Sequence, residues 1–535
     1  MAQLSGKSII GFRRGEASAN SFRAVNPASG DELTPDYPAA TAAEVDQAVQ
    51  LASNAFRIYG RAPAKVKTAF LRKIAENIEA LGETLVDRAT AETALPPARI
   101  RGETARTCHQ LRLFAELIDE GSWVDARIDR ADPARQPFAK PDVRSMLLPL
   151  GPVVVFCASN FPLAFSVAGG DTASALASGN PVVVKAHRAH PGTAELVGLA
   201  VRDAVRACDL PEGVFSLLFG RGDEVGMQLV RHRLIKAGGF TGSRSGGQAL
   251  MNAAASRPEP IPFYAEMSSV NPVFILPGAL DERGEAIATG LHASVTLGAG
   301  QFCTNPGLVF LPDGPSSAGL IGRLKEMMSS TPAFTMLTSR IGSAYHEGTD
   351  SLSKNTAVGI LHQPHVLHGS NGCSAGPGLF QTDVNSFLAD PSLSAEVFGP
   401  STLLVTYSDP ELLPEIARKL EGQLTATIHA SNSESEIVST LLEVLDHKVG
   451  RIVFNGFPTG VEVCHAMVHG GPFPATSDGR STSVGTRAVF RFARPVCYQD
   501  APPAALPDEL KDENPLNIWR MVDGELTKDS LSDML

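Results

Sequence analysis

Apolar positions recur with the period of a helix over most of the first 120 residues. Thr41 and Glu44 have the spacing of a capping box, which predicts a helix start at this point. Three amphipathic helices are predicted: one through Val45, Val49, Ala52 and Phe56, one through Phe70, Ile74, Ile78, Leu81 and Leu85, and one over about 98–119.

From Val153 onward, short apolar runs alternate with helical segments. The predicted strands are 153–156, 182–185, 214–218 and 234–237, and the predicted helices lie near 166–178, 192–207 and 222–231. Such alternation indicates parallel strands joined by right-handed crossovers. The sequence therefore predicts an α/β fold with a doubly wound, Rossmann-like nucleotide-binding sheet.

A second α/β region is predicted after Glu266, with strands near 272–276 and 307–311, and it extends to about residue 483. Residues 121–145 are polar and rich in Arg and Pro, as expected of an excursion from a compact domain. The segment 484–498 alternates and is expected to return as a strand to this excursion. From Ala501 the chain carries Pro and acidic residues, which predicts a peripheral tail.

Composition narrows the class of protein. A net charge of −11 over 535 residues argues against a nucleic-acid partner, since phosphate binding needs a basic surface. The sequence has no run of 18 apolar residues, so no membrane span is expected. The seven cysteines lack disulfide-framework and metal-site spacing. We therefore expect no metal site, and a chain that works in the reducing cytoplasm.

Cys303 differs from the other cysteines because it lies in a glycine-rich, turn-forming segment, 298–307. Glycines let the backbone approach a substrate closely and leave its N–H groups free to donate. Cys303 is therefore a candidate nucleophile. The alternative is a buried, inert thiol, which is the commoner state of a cysteine.

Two polar residues near strand ends are candidates for catalysis. Glu266, between Ala265 and Met267, is either paired internally or has a raised pKa, and the second alternative suits a general base. Asn160 follows the first strand of the sheet, where its amide could donate to an oxyanion. The alternative for Asn160 is that it caps the strand end.

Three segments are candidates for binding a nucleotide. Lys185 ends a buried strand, where a charge usually meets solvent or a ligand. Thr241 and Ser243 lie where a strand passes into a helix, whose N-terminus would suit a pyrophosphate. The segment 220–226, which contains Gly220 and Arg221, narrowly misses the GxGxxG pattern.

Read in order, these features resemble the aldehyde dehydrogenase superfamily across nearly the whole chain. The matching features are residues 160–163, Lys185, residues 240–243, Glu266, residues 300–303 and residues 396–400. The resemblance implies the aldehyde dehydrogenase fold: an NAD(P)-binding domain over 1–126 and 150–266, and an α/β catalytic domain over 267–484. A β-arm for oligomerisation would combine 127–149 with 485–500, in a homodimer or homotetramer.

The resemblance also implies roles for individual residues. Cys303 would attack the aldehyde, while its own N–H and the Asn160 amide hold the oxyanion. Hydride would pass to the nicotinamide, and Glu266 would activate the water that hydrolyses the thioester. The cofactor contacts implied are Lys185 at the adenosine ribose, Glu396 and Phe398 at the nicotinamide, and Ser159 at a position where the family often has Trp.

Arg188 departs from the pattern of NAD-preferring members, many of which carry Glu three residues after the lysine that corresponds to Lys185. A cation there favours a 2′-phosphate, and Arg221 could join it. NADP is therefore the preferred cofactor, with NAD possible. The alternative is that Arg188 simply faces water.

Within the superfamily, the chain most resembles the bacterial α-ketoglutarate semialdehyde (2,5-dioxovalerate) dehydrogenases, in residues 99–112, 186–191 and 469–477. Such a small-molecule aldehyde carries a carboxylate. We expect Arg106 to hold the α-keto acid end, with Gln110 one turn later and Phe161 nearby in the substrate tunnel. The alternative for Arg106 is a surface pair with Glu103.

Three other functions remain open from the sequence. One is an NADP-dependent fatty or broad-specificity aldehyde dehydrogenase, which shares several of these motifs. Another is a catalytically silent, nucleotide-binding structural protein, against which the intact Cys303, Glu266 and Asn160 argue. The third is a cysteine hydrolase that pairs Cys303 with His292, and it leaves the parallel sheet and Lys185 unexplained.

Overall fold

The computed structural model describes residues 4–365 and 373–534. The α-helices in these ranges are α1 Ala42–Tyr59, α2 Ala64–Glu79, α3 Gly82–Thr93, α4 Pro97–Glu120, α5 Gly170–Ser178, α6 Pro191–Ala207, α7 Met227–Arg231, α8 Arg244–Ala255, α9 Pro277–Thr296, α10 Pro315–Ser330, α11 Ser339–Lys354, α12 Val384–Ala389, α13 Leu413–Lys419 and α14 Ser435–Leu445. The strands are β1 Ile9–Ile10, β2 Arg13–Arg14, β3 Ser21–Val25, β4 Glu32–Pro38, β5 Arg127–Asp129, β6 Val143–Pro149, β7 Val153–Phe156, β8 Val182–Lys185, β9 Phe215–Leu218, β10 Ala237–Thr241, β11 Phe263–Glu266, β12 Val273–Ile275, β13 Leu308–Pro312, β14 Phe334–Thr335, β15 Gly359–His362, β16 Ser374–Ala375, β17 Gly378–Asp383, β18 Ser401–Tyr407, β19 Gln423–His429, β20 Val449–Phe454, β21 Ala493–Gln499, β22 Arg520–Val522 and β23 Glu525–Thr527.

The first seven-stranded sheet has the order β11-β10-β7-β8-β9-β1-β2. Strands β7 to β11 are parallel, and β1 and β2 add an antiparallel edge. The strand order reverses at β7, which lies between β8 and β10. Ligands of open α/β sheets bind beyond the carboxyl ends of strands at such a reversal. The fold therefore places a crevice beyond Phe156 and Thr241.

The apolar runs of this sheet are continuous because helices cover both of its faces. Val153 and Val155 pack into one core with residues of α2, α4, α5 and α6. Val154 and Phe156 pack into another with residues of α1 and α8. A strand buried on both faces needs apolar residues at every position, which is why the predictions of 153–156 and 182–185 are correct.

The second seven-stranded sheet has the order β15-β17-β18-β13-β12-β19-β20 and is parallel except for β15. Phe274 and Phe310 face one core, and Val273 and Val309 face the other. The loop that carries Cys303 leads into β13. That loop therefore lies at the amino ends of this sheet.

A five-stranded sheet, in the order β21-β6-β5-β22-β23, joins the excursion to the last part of the chain. The return strand β21 pairs with β6, as the alternation predicts, but it begins only at Ala493 because Thr486–Phe492 forms a 3-10 helix. The tail supplies β22 and β23 and buries Leu510 and Val522 in the main core. This differs from the peripheral tail that its composition predicts.

Local differences have identifiable causes. The single helix predicted from Phe70 to Leu85 is wrong, because Gly82 adopts a left-handed φ of 49° and separates α2 from α3. The strand predicted at 234–237 begins later, since Ile235 closes a turn onto His232. The Thr41 capping box is confirmed. Among the described residues, no helix is long and apolar enough to cross a membrane.

Candidate active site

Three side chains from distant parts of the chain meet between the two large sheets. The Cys303 Sγ lies 3.4 Å from the His469 Nε2, and that same nitrogen lies 2.9 Å from the Glu266 Oε1. The polar atoms of all three residues lie within 4.8 Å of one another. His469 and Glu266 are 1% and 4% exposed, so both side chains are shielded from bulk water.

Glu266 is positioned by strands on both sides of it. It is the last residue of β11 and lies in parallel register with Thr241 of β10. On its other side it forms a bridge with Thr476, and the Met267 N–H donates to the Ala475 carbonyl. This pairing holds the segment that follows His469 against the sheet edge.

His469 is fixed by the chain that follows it. Its backbone N–H donates to the Thr482 hydroxyl at 2.8 Å, and the Ser483 N–H donates to its carbonyl. The Ser483 hydroxyl donates to the second oxygen of Glu266 at 2.7 Å. Both oxygens of the carboxylate therefore have partners, one a histidine and the other a hydroxyl.

The Cys303 loop is shaped by Gly300 and held by the side chain of Asn271. Gly300 has a φ of 65°, and a Cβ there would lie 2.2 Å from the Gly399 carbonyl, so the turn requires glycine. The Asn271 amide donates to the Cys303 and Asn305 carbonyls, each at 2.9 Å. These bonds use the loop's carbonyls and fix the backbone around the thiol.

Asn160 lies at this loop. Its amide nitrogen, Nδ2, donates to the Gln301 carbonyl at 3.0 Å, two residues before Cys303. It therefore does not merely cap its own strand. An amide nitrogen carries two hydrogens, and the bond to Gln301 uses one of them.

The acid–base properties of the cluster follow from burial and contact. Burial raises the pKa of Glu266, but His469 and Ser483 outweigh it and bring the pKa below its usual value. The raised pKa that suits a base is thus wrong, and the internal pair is the correct alternative. Burial, followed by the Glu266 carboxylate, raises the pKa of Cys303 well above its usual value.

Arg106 of α4 is half-buried and faces the site. Its guanidinium lies 5.3 Å from the Phe165 ring centroid, and one nitrogen donates weakly to the Val461 carbonyl at 3.4 Å. Burial lowers the pKa of Arg106, while Glu103 and Cys303 act against this. The predicted alternative, a surface pair with Glu103, is wrong.

The same helix face holds unpaired polar atoms. Within the described residues, Nη1 of Arg106 and both amide atoms of Gln110 are buried without a hydrogen-bond partner. Glu103 instead pairs with Arg99 at 3.5 Å and accepts two backbone N–H groups. Buried polar groups are usually satisfied, so Arg106 and Gln110 are suited to a polar ligand.

Arg99 has a position that the sequence prediction missed. Its guanidinium lies 4.6 Å from the ring centroids of both Phe161 and Phe302. Phe161 thereby becomes part of an aromatic wall next to the Cys303 loop. The signal was present in the sequence, because Arg99, Arg106 and Gln110 recur at intervals that place them on one face of α4.

Lys185 and Ser243 lie at carboxyl ends of the first sheet, as predicted. Lys185 ends β8 and is buried, which lowers its pKa to about 8. Ser243 caps α8 and accepts from the Gly246 N–H, so its hydroxyl is already engaged. Gly220 has a φ of 145° and lies against Val225, where a side chain would not fit. A nucleotide backbone can approach this edge closely.

The two cations predicted for a 2′-phosphate are exposed, and each already contacts another side chain. The Arg188 guanidinium stacks 4.6 Å from the Phe22 ring centroid. Arg221 pairs with Asp223 at 2.7 Å and with Glu224 at 3.6 Å. The structure therefore does not leave Arg221 free to join Arg188. Ser159 is half-buried beside Asn160.

Glu396 and Phe398 line one cavity with Ser269 and Phe302. Burial raises the pKa of Glu396 to about 7, and the Ser269 N–H lies 3.5 Å from its carboxylate. A carboxyl in this position can accept a hydroxyl hydrogen when ionised. The buried Lys185 at the sheet edge and the buried Glu396 in this cavity are groups that can donate to and accept from the hydroxyls of a ribose.

His469 is the functional residue most clearly missed by the sequence reasoning. The histidine proposed for a hydrolase, His292, contacts Thr331 at 2.7 Å and not Cys303. Gly470 and Gly471 follow His469 directly, and glycines also lie on both sides of Cys303. This shared glycine-rich setting was the feature of the sequence that could have indicated His469.

Two curated relatives match this chain over nearly its full length. The chain is 50% identical to alpha-ketoglutaric semialdehyde dehydrogenase 2 of Azospirillum brasilense, over 98% of this chain and 99% of that one. It is 46% identical to alpha-ketoglutaric semialdehyde dehydrogenase of Acinetobacter baylyi, over 99% and 100%.

Solved structures show the same fold at lower identity. Betaine aldehyde dehydrogenase from Staphylococcus aureus, in complex with NAD+, superposes with a TM-score of 0.80 at 18% identity, covering 94% of this chain and 98% of that chain. NADP-dependent glyceraldehyde-3-phosphate dehydrogenase from Bacillus halodurans, with NADP, gives 0.77 at 22% identity, covering 93% and 100%. The predicted fold class is thereby confirmed.

A model of the aldehyde dehydrogenase family matches residues 13–474, which include Asn160, Glu266, Cys303 and His469. The match and the two relatives confirm the resemblance drawn from the motifs, and the chain belongs to the aldehyde dehydrogenase family.

Proposed function

We propose that this protein oxidises α-ketoglutarate semialdehyde to 2-oxoglutarate with NADP+ as the preferred cofactor and NAD+ as a possible one. The observation that carries the proposal is the buried contact of Cys303 with a carboxylate and a histidine, next to Asn160. Both relatives described above bear the name of this activity over nearly the full length of both chains.

Cys303 is the nucleophile in this proposal. Its sulfur attacks the aldehyde carbon, and the carbonyl oxygen becomes an alkoxide that accepts from the Cys303 N–H and from the free hydrogen of the Asn160 amide. When bound, NAD(P)+ supplies the acceptor for the hydrogen and electron pair that the oxidation removes. The product is then held as a thioester on Cys303.

Glu266 is the base for the second half of the reaction. It takes a proton from the water that attacks the thioester carbon, and the Cys303 sulfur leaves. Because its partners keep the pKa of Glu266 low, the carboxylate is ionised at neutral pH and ready to accept. A low pKa also makes Glu266 a weaker base, so proton transfer from the water depends more on the position of the carboxylate near the thioester than on its basicity.

Specificity for an acidic aldehyde is proposed to come from α4. Arg106 would pair with the substrate carboxylate through its unpartnered nitrogen, and the Gln110 amide would accept or donate to the keto acid end. Phe161, packed under Arg99, would form the apolar side of the tunnel.

The cofactor is proposed to lie along the crevice of the first sheet. Its adenosine ribose would be held by Lys185, its pyrophosphate by the Ser243 end of α8, and its nicotinamide ribose by Glu396. The other proposed contacts are Ser159, Gly220, Thr241 and Phe398. Arg188 would contact a 2′-phosphate, which is the basis for preferring NADP.

The five-stranded sheet is proposed to be the arm of a homodimer or homotetramer. Its edge strand β21 pairs on one side only within the described residues, and an unpaired edge can accept a further strand. Phe490 and Trp519, on or next to the arm, are 45% and 43% exposed.

All seven cysteines are free, including the exposed Cys497, which supports a reducing compartment such as the cytoplasm.

The test is a rate comparison, by absorbance of reduced nicotinamide, with α-ketoglutarate semialdehyde and pentanal and with both cofactors. We expect the highest kcat/KM with the semialdehyde and NADP+. Higher kcat/KM with pentanal would favour the broad-specificity alternative. Cofactor binding without turnover of any aldehyde would favour the silent structural protein.

A further inference from the structure

A single nitrogen of His469 contacts both of the groups to which the proposed function assigns chemistry. Its Nε2 lies 3.4 Å from the Cys303 Sγ and 2.9 Å from the Glu266 Oε1. Thr482 and Ser483 hold the backbone of His469, so the ring stays between the thiol and the carboxylate.

The proposed chemistry leaves one proton unassigned. A thiol is a weak nucleophile until it loses its proton, and burial together with the Glu266 charge disfavours that loss at Cys303. Glu266 is needed later for water, and a carboxylate of low pKa is a poor acceptor for a thiol proton. A group that takes the thiol proton and becomes positive would relieve both difficulties.

We propose that His469 takes the proton of the Cys303 thiol, a role that rests on the proposed function of Cys303 as the nucleophile. Before the transfer the ring hydrogen is on Nδ1 and the Nε2 lone pair accepts, and the charged contact of His469 with Glu266 forms once the ring is an imidazolium. The S–H bond breaks, its electron pair stays on sulfur, and an N–H bond forms at Nε2. The imidazolium then lies between the thiolate and the Glu266 carboxylate, and its one Nε2 hydrogen is shared between the Sγ at 3.4 Å and the Oε1 at 2.9 Å.

His469 also acts on the sulfur in the second half of the reaction, when the acid product leaves. As water attacks the thioester, the C–S bond breaks and its electron pair returns to sulfur. The imidazolium stabilises this leaving thiolate by charge. His469 is therefore a catalytic residue, since it touches the reacting sulfur in both halves of the reaction.

Other charged groups act on the thiol from the surrounding elements. Glu396 raises the pKa of Cys303, and Arg106 lowers it. Arg451 of β20 also interacts electrostatically with Cys303. The two arginines favour the thiolate but are not proton acceptors at neutral pH. Glu266 is also within reach of the thiol, but its lowered pKa makes it the poorer acceptor of the two, which favours His469.

The experiment measures alkylation of Cys303 by iodoacetamide, without cofactor or aldehyde, between about pH 5 and 9. The peptide that contains Cys303 is followed by mass spectrometry because the chain has seven cysteines. We expect His469→Gln to slow alkylation at pH 7 by about tenfold or more and to move its pH profile upward. An unchanged profile would overturn the proposal.

Two variants separate the possible acceptors. Glu266→Gln should leave alkylation unchanged or faster, because it removes the charge that raises the pKa of Cys303. Slower alkylation in Glu266→Gln, with normal alkylation in His469→Gln, would make Glu266 the acceptor and overturn the proposal. His292→Gln is the matched control, since it removes a histidine that contacts Thr331 away from the thiol.

A measurement on the wild type covers the case in which His469→Gln does not fold. The difference in absorbance near 240 nm between wild type and Cys303→Ala reports the thiolate. Because the imidazolium of His469 would offset the burial and the Glu266 charge, we expect a thiolate signal at neutral pH, and its absence below about pH 8.5 would overturn the proposal. If Cys303→Ala still oxidises the aldehyde, the proposed function itself fails. If that variant is inactive but His469→Gln is alkylated normally, only the role of His469 fails.

Discussion

The cluster around Cys303 and the cations around Arg188 differ in how far their charged groups are buried. Glu266 and His469 are almost fully buried and contact each other directly, so their geometry exists before any ligand binds. Arg188 and Arg221 lie in solvent, stacked on a ring or paired with acidic side chains. Under the proposed function, the reaction would use groups in fixed positions, whereas cofactor choice would rest on the exposed Arg188.

Replacing Cys303 tests the buried region most directly. Cys303→Ala should lower kcat for aldehyde oxidation at least about 10⁴-fold, because no other group near the aldehyde can form the thioester. The rate is read from reduced nicotinamide, and cofactor binding is measured by calorimetry. Cys208→Ser, a half-buried cysteine at the end of α6, is the control and should keep full activity. Comparable activity in both variants would remove the distinction between the two regions.

Arg106 lies between the two regions in burial. Arg106→Ala should raise KM for α-ketoglutarate semialdehyde about 10- to 100-fold, the loss expected for a charge-assisted hydrogen bond, and leave KM for pentanal nearly unchanged. Arg112→Ala, on the same helix but paired with Glu79 at the surface, is the matched control. Equal changes for both aldehydes would contradict a carboxylate contact.

Arg188 tests the exposed region. Arg188→Gln should lower kcat/KM for NADP+ about three- to tenfold and leave NAD+ almost unaffected, since a solvent-exposed ion pair is weak. Arg202→Gln removes another arginine that pairs at the surface and serves as the control. An equal loss with both cofactors would show that Arg188 acts through Phe22 and the fold rather than through a phosphate.

Glu396 should give a modest dependence of cofactor binding on pH. Its pKa of about 7 means that the carboxyl is mostly protonated near pH 6 and mostly ionised near pH 8. Only the ionised form accepts from two ribose hydroxyls, so the Kd for NADP+ should fall as pH rises, by up to about tenfold. Glu396→Gln should flatten this dependence in calorimetry. A Kd that rises with pH would contradict the assigned contact.

Much of the fold could be predicted because burial leaves a pattern in the sequence. The strands at 153–156 and 182–185 are apolar at nearly every position, and they are buried on both faces. The tail could not be predicted in the same way. Its prolines and acidic residues indicate exposure, while the apolar residues that anchor it, such as Leu510 and Val522, are too widely spaced to show a period.

The residues of the candidate site also differ in whether local sequence indicates them. Glu266 and Asn160 lie at or just after the end of a strand, and Cys303 lies in a glycine-rich turn, so local sequence indicated all three residues. His469 lies in a loop without periodicity, and only the tertiary contact with Glu266 shows its importance. The pKa of Glu266 was missed for the same reason, since it depends on a residue 203 positions away in the chain.

The way residues 506–531 are built into the molecule has a consequence for biosynthesis. Leu506, Leu510 and Leu531 pack into the same core as Phe70 and Val153. During translation, that core stays incomplete until the ribosome has made these late residues, even though most of the nucleotide-binding sheet has emerged long before. A nascent chain should therefore expose apolar surface to chaperones until synthesis passes Leu531, and products that stop short should be degraded.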